Sequence, residues 1–147
     1  MKAAAFFVCL SLAAAQDIPA PTKTPAKTRP EDVATLRSAV ELHDRGEYDS
    51  AIAKYKQVLS QNPDDITALY ELTFSYFAAK KYQDCIDAAK IGVQYNAPVR
   101  GRFYSNMGSC LDESGRTDEA LKLYRAAIAA LPGDFMLPFN LGITLTR

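Results

Sequence analysis

The sequence has no tryptophan, one histidine and only seven glycines, and its 17 basic residues balance 17 acidic ones to a formal net charge of zero. Each shortage weighs against a class of function. Phosphate backbones are bound by concentrated basic surfaces, so the even charge balance argues against nucleic acid as the partner. The sole histidine, His43, belongs to no Cys/His cluster, so no metal site is expected, and no cofactor motif is present. No G-x-S-x-G elbow, glycine-rich phosphate loop or Cys–His nucleophile spacing occurs, so the chain is not expected to be an enzyme. The acid pairs Asp112-Glu113 and Asp118-Glu119 do not replace such a site, because neighbours along a helix point apart.

Long apolar runs are also scarce. The one continuous run, Ala3 to Leu12, follows Lys2 and ends at the small residues Ala13-Ala14-Ala15. This is the pattern of a secretory signal peptide spanning residues 1–15. The run is shorter than the roughly 20 apolar residues that cross a bilayer. The expected product is therefore exported, periplasmic or secreted, with no integral membrane span after cleavage. Residues 16–30, QDIPAPTKTPAKTRP, carry four prolines and three threonines without apolar periodicity, and read as an extended soluble linker. Beyond Cys9, the remaining cysteines are Cys85 and Cys110. Two cysteines in a helical array read first as small core residues. A disulfide is the alternative, open to an exported chain and conditional on Cα atoms within about 7 Å.

From Pro30 onward the pattern is helical and it repeats. Pro30-Glu31-Asp32 opens a helix with proline in the first turn and acids at its positive end. Val33, Leu36 and Val40 then follow one face, Gly46 breaks the helix, and Ala51, Ile52, Tyr55, Val58 and Leu59 line the next. Gly46, Ala51, Tyr55 and Pro63 have counterparts in Gly115, Ala120, Tyr124 and Pro132, with Cys85 and Pro98 between them. Ala51, Cys85 and Ala120 lie 34 and 35 residues apart (51 to 85 to 120). A helical pattern with a period of about 34 marks a stacked helix-turn-helix solenoid.

Residues 32–147 resemble tetratricopeptide repeats. Met107-Gly108-Ser109-Cys110-Leu111 and Leu141-Gly142-Ile143-Thr144-Leu145 match the first helix of that motif; Gly46-Glu47-Tyr48-Asp49-Ser50-Ala51 and Ala120-Leu121-Lys122-Leu123-Tyr124 match the second. The resemblance implies an all-α, right-handed superhelical solenoid of antiparallel helix pairs. About three and a half units are expected, with repeats near 32–65, 66–100 and 101–134 and a partial one at 135–147. The small residues Ala51, Ala120, Gly108 and Gly142 are expected where helices approach most closely. Ala89 replaces the late aromatic of the second repeat, which is therefore expected to pack least tightly.

The resemblance also places the inner, ligand-facing surface on the first helix of each repeat. Leu36, Val40 and His43 stand there in the first repeat, and Tyr70, Phe74 and Phe77 in the second. Arg102, Ser109, Asp112 and Glu113 follow in the third, then Phe139 and Ile143. Independently of the family, Tyr70, Phe74 and Phe77 fall at four- and three-residue steps on one helix face. The expected site is a groove with an aromatic centre and an acidic wall at Asp112 and Glu113, holding a peptide or protein partner. The alternative is that these aromatics pack within the array or under the linker. The last segment is apolar nearly all round, whereas a solenoid needs a polar outer face at its end. Two readings follow: the chain is the front part of a longer exported enzyme or envelope-assembly protein, or this helix self-associates.

Overall fold

The computed structural model describes residues 18–147, so the signal-peptide reading of residues 1–15 lies outside the described residues. Seven α-helices follow a 3-10 turn at Pro30–Asp32: α1 (Val33–Asp44), α2 (Tyr48–Gln61), α3 (Ile66–Ala78), α4 (Tyr82–Gly92), α5 (Arg100–Glu113), α6 (Thr117–Ala130) and α7 (Met136–Leu145). Each helix packs on the next in sequence, while α3 with α5 and α5 with α7 also touch along one side. The result is an all-α helical repeat solenoid whose inner face is built from the odd-numbered helices.

Local chemistry sets the helix ends. Asp65 is fully buried, and its Oδ1 accepts from the backbone N–H groups of Thr67 and Ala68 at 3.1 and 3.0 Å, capping α3. Asp134 does the same for α7 through Met136 and Leu137. The turns inside the three helix pairs share one geometry. Glu47 donates to Leu42 O, Lys81 to Tyr76 O and Arg116 to Leu111 O, each through the backbone. The residue before each donor is left-handed: Gly46 at φ 78°, Lys80 at 58° and Gly115 at 84°. Lys80 thus occupies a conformation that its two counterparts give to glycine.

The core follows the repeat spacing. Ala51, Cys85 and Ala120 are completely buried, as are the large rings of Tyr55 and Tyr124. A β-carbon at Gly108 would lie 2.3 Å from Tyr124 Cζ, so that glycine is required for α5 and α6 to meet. Gly142 behaves differently, since nothing lies within 4 Å of a β-carbon built there. The close approach expected at Gly142 is absent because no described helix covers that side of α7.

The helices of the second repeat bury Leu69, Leu72, Tyr76, Ile86 and Ala89. One expectation is corrected there. Cys85 and Cys110 form a disulfide with Cα atoms 6.5 Å apart, joining α4 to α5. Both cysteines are completely buried between these helices, so they serve as small core residues and as bonding partners at once.

Residues 18–29 are not a free spacer either. They run in extended form along the loops between repeats. Thr22 N donates to Gln94 O, Asn96 N to Lys23 O and Ala26 N to Asp64 O, all at 2.8 Å. Thr28 Oγ1 donates to Asp65 Oδ1, Asn62 Nδ2 donates to Lys27 O, and the Arg100 guanidinium donates to the Pro19 carbonyl. The Lys23 ammonium lies 5.3 Å from the centre of the Tyr95 ring. Prolines lack an N–H, so the donor positions fall on the residues between them. Composition revealed the extended backbone but not the surface that receives it.

Candidate functional site

The inner face of α3, α5 and α7 holds two adjoining cavities. Tyr70, Phe74, Arg102, Ser105, Phe135 and Asn140 contribute to one of about 300 Å³. Phe77, Ser109, Asp112, Glu113 and Ile143 contribute to the other, about 180 Å³, and Asn140 lines both. The repeat spacing brings these side chains together by stacking equivalent helices side by side. Most of the residues expected for the groove therefore meet in one place.

Three do not. Leu36 is only 8% exposed and belongs to the core, because the side of α1 that carries it turns towards the neighbouring helices. Val40 is exposed on α1 and lines neither cavity, and Phe139 stands exposed on α7 outside both. His43 lies outside the cavities but beside Phe74. Their rings stack at 5.0 Å with an interplanar angle of 23°, and Tyr48 meets the imidazole edge-on at 5.2 Å. His43 Nδ1 is 2.8 Å from Ser75 Oγ. That pair is not a catalytic dyad, since Ser75 is completely buried and out of reach of a substrate.

The aromatics divide between core and groove. Tyr70 packs edge-on against the buried Phe103 at 5.8 Å, and Phe77 leans on Tyr82 at 6.3 Å. Each fixes one edge in the protein and turns another to the cavity. Phe74 is 41% exposed and Phe135, lining the same cavity, 78%, so both rings are open to a ligand. Arg102 stands 5.9 Å from the centre of the Tyr70 ring, placing one cation at the mouth. Within the same cavity Ser105 is 6% exposed, and its hydroxyl has no hydrogen-bond partner.

The acidic wall is altered by α7 and the residues beyond it. Asp112 accepts from Thr117 Oγ1 at 2.8 Å and from Thr144 Oγ1 at 3.2 Å, and its Oδ2 lies 3.5 Å from the Arg147 guanidinium. Arg147 also pairs with Glu113. The wall is therefore already neutralised in part by the chain itself. The sequence reading missed Glu71, a lone acid in the apolar helix ITALYELTFSYFA. Burial holds its carboxyl above the usual range and the Asp44 charge adds to the effect, while Arg102 opposes it. Its isolation among apolar residues was the available signal. Asn106 and Asn140 were missed as well, and nothing in their spacing distinguishes them from surface amides.

Among the described residues, no cluster of three His, Cys, Asp or Glu side chains suits a metal ion, and no helix is long and apolar enough to cross a membrane. The cavities offer apolar ring faces, the Arg102 cation and one buried hydroxyl, that of Ser105, without a hydrogen-bond partner.

Comparison with known proteins gives the same picture. A TPR repeat family model matches residues 40–80, and a tetratricopeptide repeat model matches residues 75–135. No curated protein sequence matches the chain. Among solved structures, the second TPR domain of human RPAP3, in complex with the HSP70 peptide SGPTIEEVD, superposes with a TM-score of 0.68 at 13% identity, covering 80% of this chain and 97% of that one. The Sgt2 TPR domain from Aspergillus fumigatus superposes with a TM-score of 0.70 at 20% identity, covering 85% and 83%. MamA from Desulfovibrio magneticus gives 0.66 at 21% identity, covering 82% and 67%. These likenesses concern the fold; the two family models, which together run from residue 40 to residue 135, place the chain in the tetratricopeptide repeat family.

Proposed function

We propose that this chain is an exported, non-catalytic interaction module that holds a segment of another polypeptide against its inner face. The observation that carries the reading is the pair of exposed rings, Phe74 and Phe135, that line one cavity of the inner face. A peptide supplies apolar side chains for those rings. The RPAP3 domains hold peptides ending in Glu-Glu-Val-Asp. That chemistry suits this groove poorly. The Arg102 charge already acts on Glu71, and Arg147 is already engaged by Asp112 and Glu113. The preferred segment is apolar and poor in acids.

Export is supported by the leader pattern of residues 1–15 and by the Cys85–Cys110 bridge, since such bonds persist in oxidising compartments. A displayed random-peptide library panned on the purified chain tests the groove. Apolar, acid-poor sequences should be enriched, and Phe74→Ala should weaken the selected peptides about tenfold with the thermal midpoint unchanged. Enrichment of acidic sequences, or insensitivity to Phe74→Ala, overturns the reading. Amino-terminal sequencing of the exported product should begin at Gln16.

A further inference from the structure

The outer side of the array carries one kind of groove twice. Leu72, Tyr76 and Ile91 line a cavity between α2 and α4. Met107, Leu111 and Ala126, each 35 residues on (72 to 107, 76 to 111, 91 to 126), line another between α4 and α6. The apolar floors correspond, but the rims differ. Asp84 and Asp87 edge the first cavity. At the same positions of the second stand Glu119 and Lys122 (84 to 119, 87 to 122), with Lys90 and Arg116 beside them. The second also has a wall that no repeat supplies, Ile18 of the amino-terminal segment, packed against the core. We propose that the cavity between α4 and α6, about 380 Å³, binds a free medium-chain alkyl carboxylate, its chain along Ile18, Met107 and Leu123 and its anion at Lys122.

Charge selects the head group. Three cations and one acid edge the cavity. Arg116 engages Glu119 through two contacts of 2.8 Å, and Lys90 lies 3.5 Å from Asp87. Lys122 joins no salt bridge among the described residues, so the rim keeps a cation for a ligand. The Arg116 hydrogen bond, and then the charges of Arg116, Lys122 and Lys90, hold the Glu119 carboxyl below its usual range against the opposing effect of burial. Shape selects the tail. The Pro19 carbonyl is held by Arg100 at the start of α5, so Ile18 enters from that end, while Arg116 stands in the turn at the other. A groove stopped at one end by an aliphatic residue suits the end of an alkyl chain better than a polypeptide passing through. Its volume falls within the roughly 300–1,000 Å³ of small-molecule sites. Repeats added before α1 or after α7 would stack on those helices and leave this cavity open, because α4, α5 and α6 already surround it. On the export reading only Gln16 and Asp17 precede Ile18 in the mature chain, and neither is apolar.

Calorimetric titration of the mature chain with hexanoate, octanoate, decanoate and dodecanoate, each below its micelle concentration, is the test. Affinity should rise up to about fourfold per methylene until the floor is covered. Decylammonium, with a similar chain and the opposite charge, should bind about tenfold or more weakly than decanoate. Lys122→Glu, at an exposed position, should weaken decanoate about tenfold with helicity unchanged. Ile18→Ser removes the apolar end wall and should also weaken it. Ile91→Ser, in the corresponding groove, should leave the affinity as it was. A flat chain-length series, equal binding of decylammonium, or insensitivity to Lys122→Glu overturns the proposal. Sensitivity to Ile91→Ser moves the ligand to the other groove and overturns it too. Binding to anionic phospholipid vesicles but not to monomeric decanoate assigns the cavity to a membrane surface instead. Decanoate binding that appears only in a chain beginning at Ile18 assigns it to the chain's own preceding residues.

Discussion

The ring of Tyr124 rests against the backbone of Gly108 so closely that a β-carbon on the glycine would meet it at 2.3 Å. Gly142 is the equivalent residue one repeat later and has no such neighbour. The same substitution should therefore act in opposite directions. Gly108→Ala should lower stability by about 1–3 kcal/mol through overpacking. Gly142→Ala should raise it by about 0.5–1 kcal/mol through helix propensity. Urea denaturation of both variants reads the contrast, and equal signs would contradict the packing described.

The Cys85–Cys110 bridge closes a sequence separation of 25 residues between α4 and α5. Replacing both cysteines with alanine should cost about 3 kcal/mol, mainly by freeing the unfolded chain. Mass measurement under non-reducing conditions checks the bond, and the denaturation midpoint with and without reductant checks its effect.

Lys80 holds a left-handed backbone at φ 58° where the other two turns use glycine. Lys80→Gly should relieve that conformation and stabilise the protein by about 0.5–1 kcal/mol, after allowing for the greater freedom of glycine when unfolded. A lower thermal midpoint for this variant would argue against strain at the turn.

Tyr95 joins the loops between repeats, donating its hydroxyl to Asp64 Oδ1 at 2.6 Å. Burial first, then the hydrogen bond and charge of Asp64, push its phenol up to about 12. A raised folded-state value means the unfolded chain gives up its proton first. This contribution to stability is complete below about pH 10, the ordinary tyrosine value, and disappears as pH climbs through about 12. Tyr95→Phe should flatten that part of the alkaline stability profile, measured by denaturation at stepped pH. Burial also raises Tyr104 and Tyr124, so part of the alkaline loss should remain.

Some of the site was readable as spacing and some was not. Tyr70, Phe74 and Phe77 announce a shared face through helical periodicity, and the repeat places Arg102 and Ser109 beside them. Leu36 occupies an equivalent register but is buried, because register fixes an angle around a helix and not what packs against it. Arg147 reaches Asp112 and Glu113 across 35 and 34 residues (112 to 147, 113 to 147), a contact that local pattern cannot anticipate.

What the chain declares unaided is its repeat: small residues and rings at a period near 34, glycine at two of three turns, and proline after the second helices. These are local or periodic properties, set by backbone conformation and by the apolar stripe each helix must bury. Tertiary structure alone decided that Cys85 meets Cys110, that residues 18–29 lie along the loops, and that Gly108 is filled while Gly142 stays open. Each of those outcomes depends on which surfaces arrive side by side after folding. Two glycines with the same sequence surroundings acquire different roles because only one of them has a helix against it.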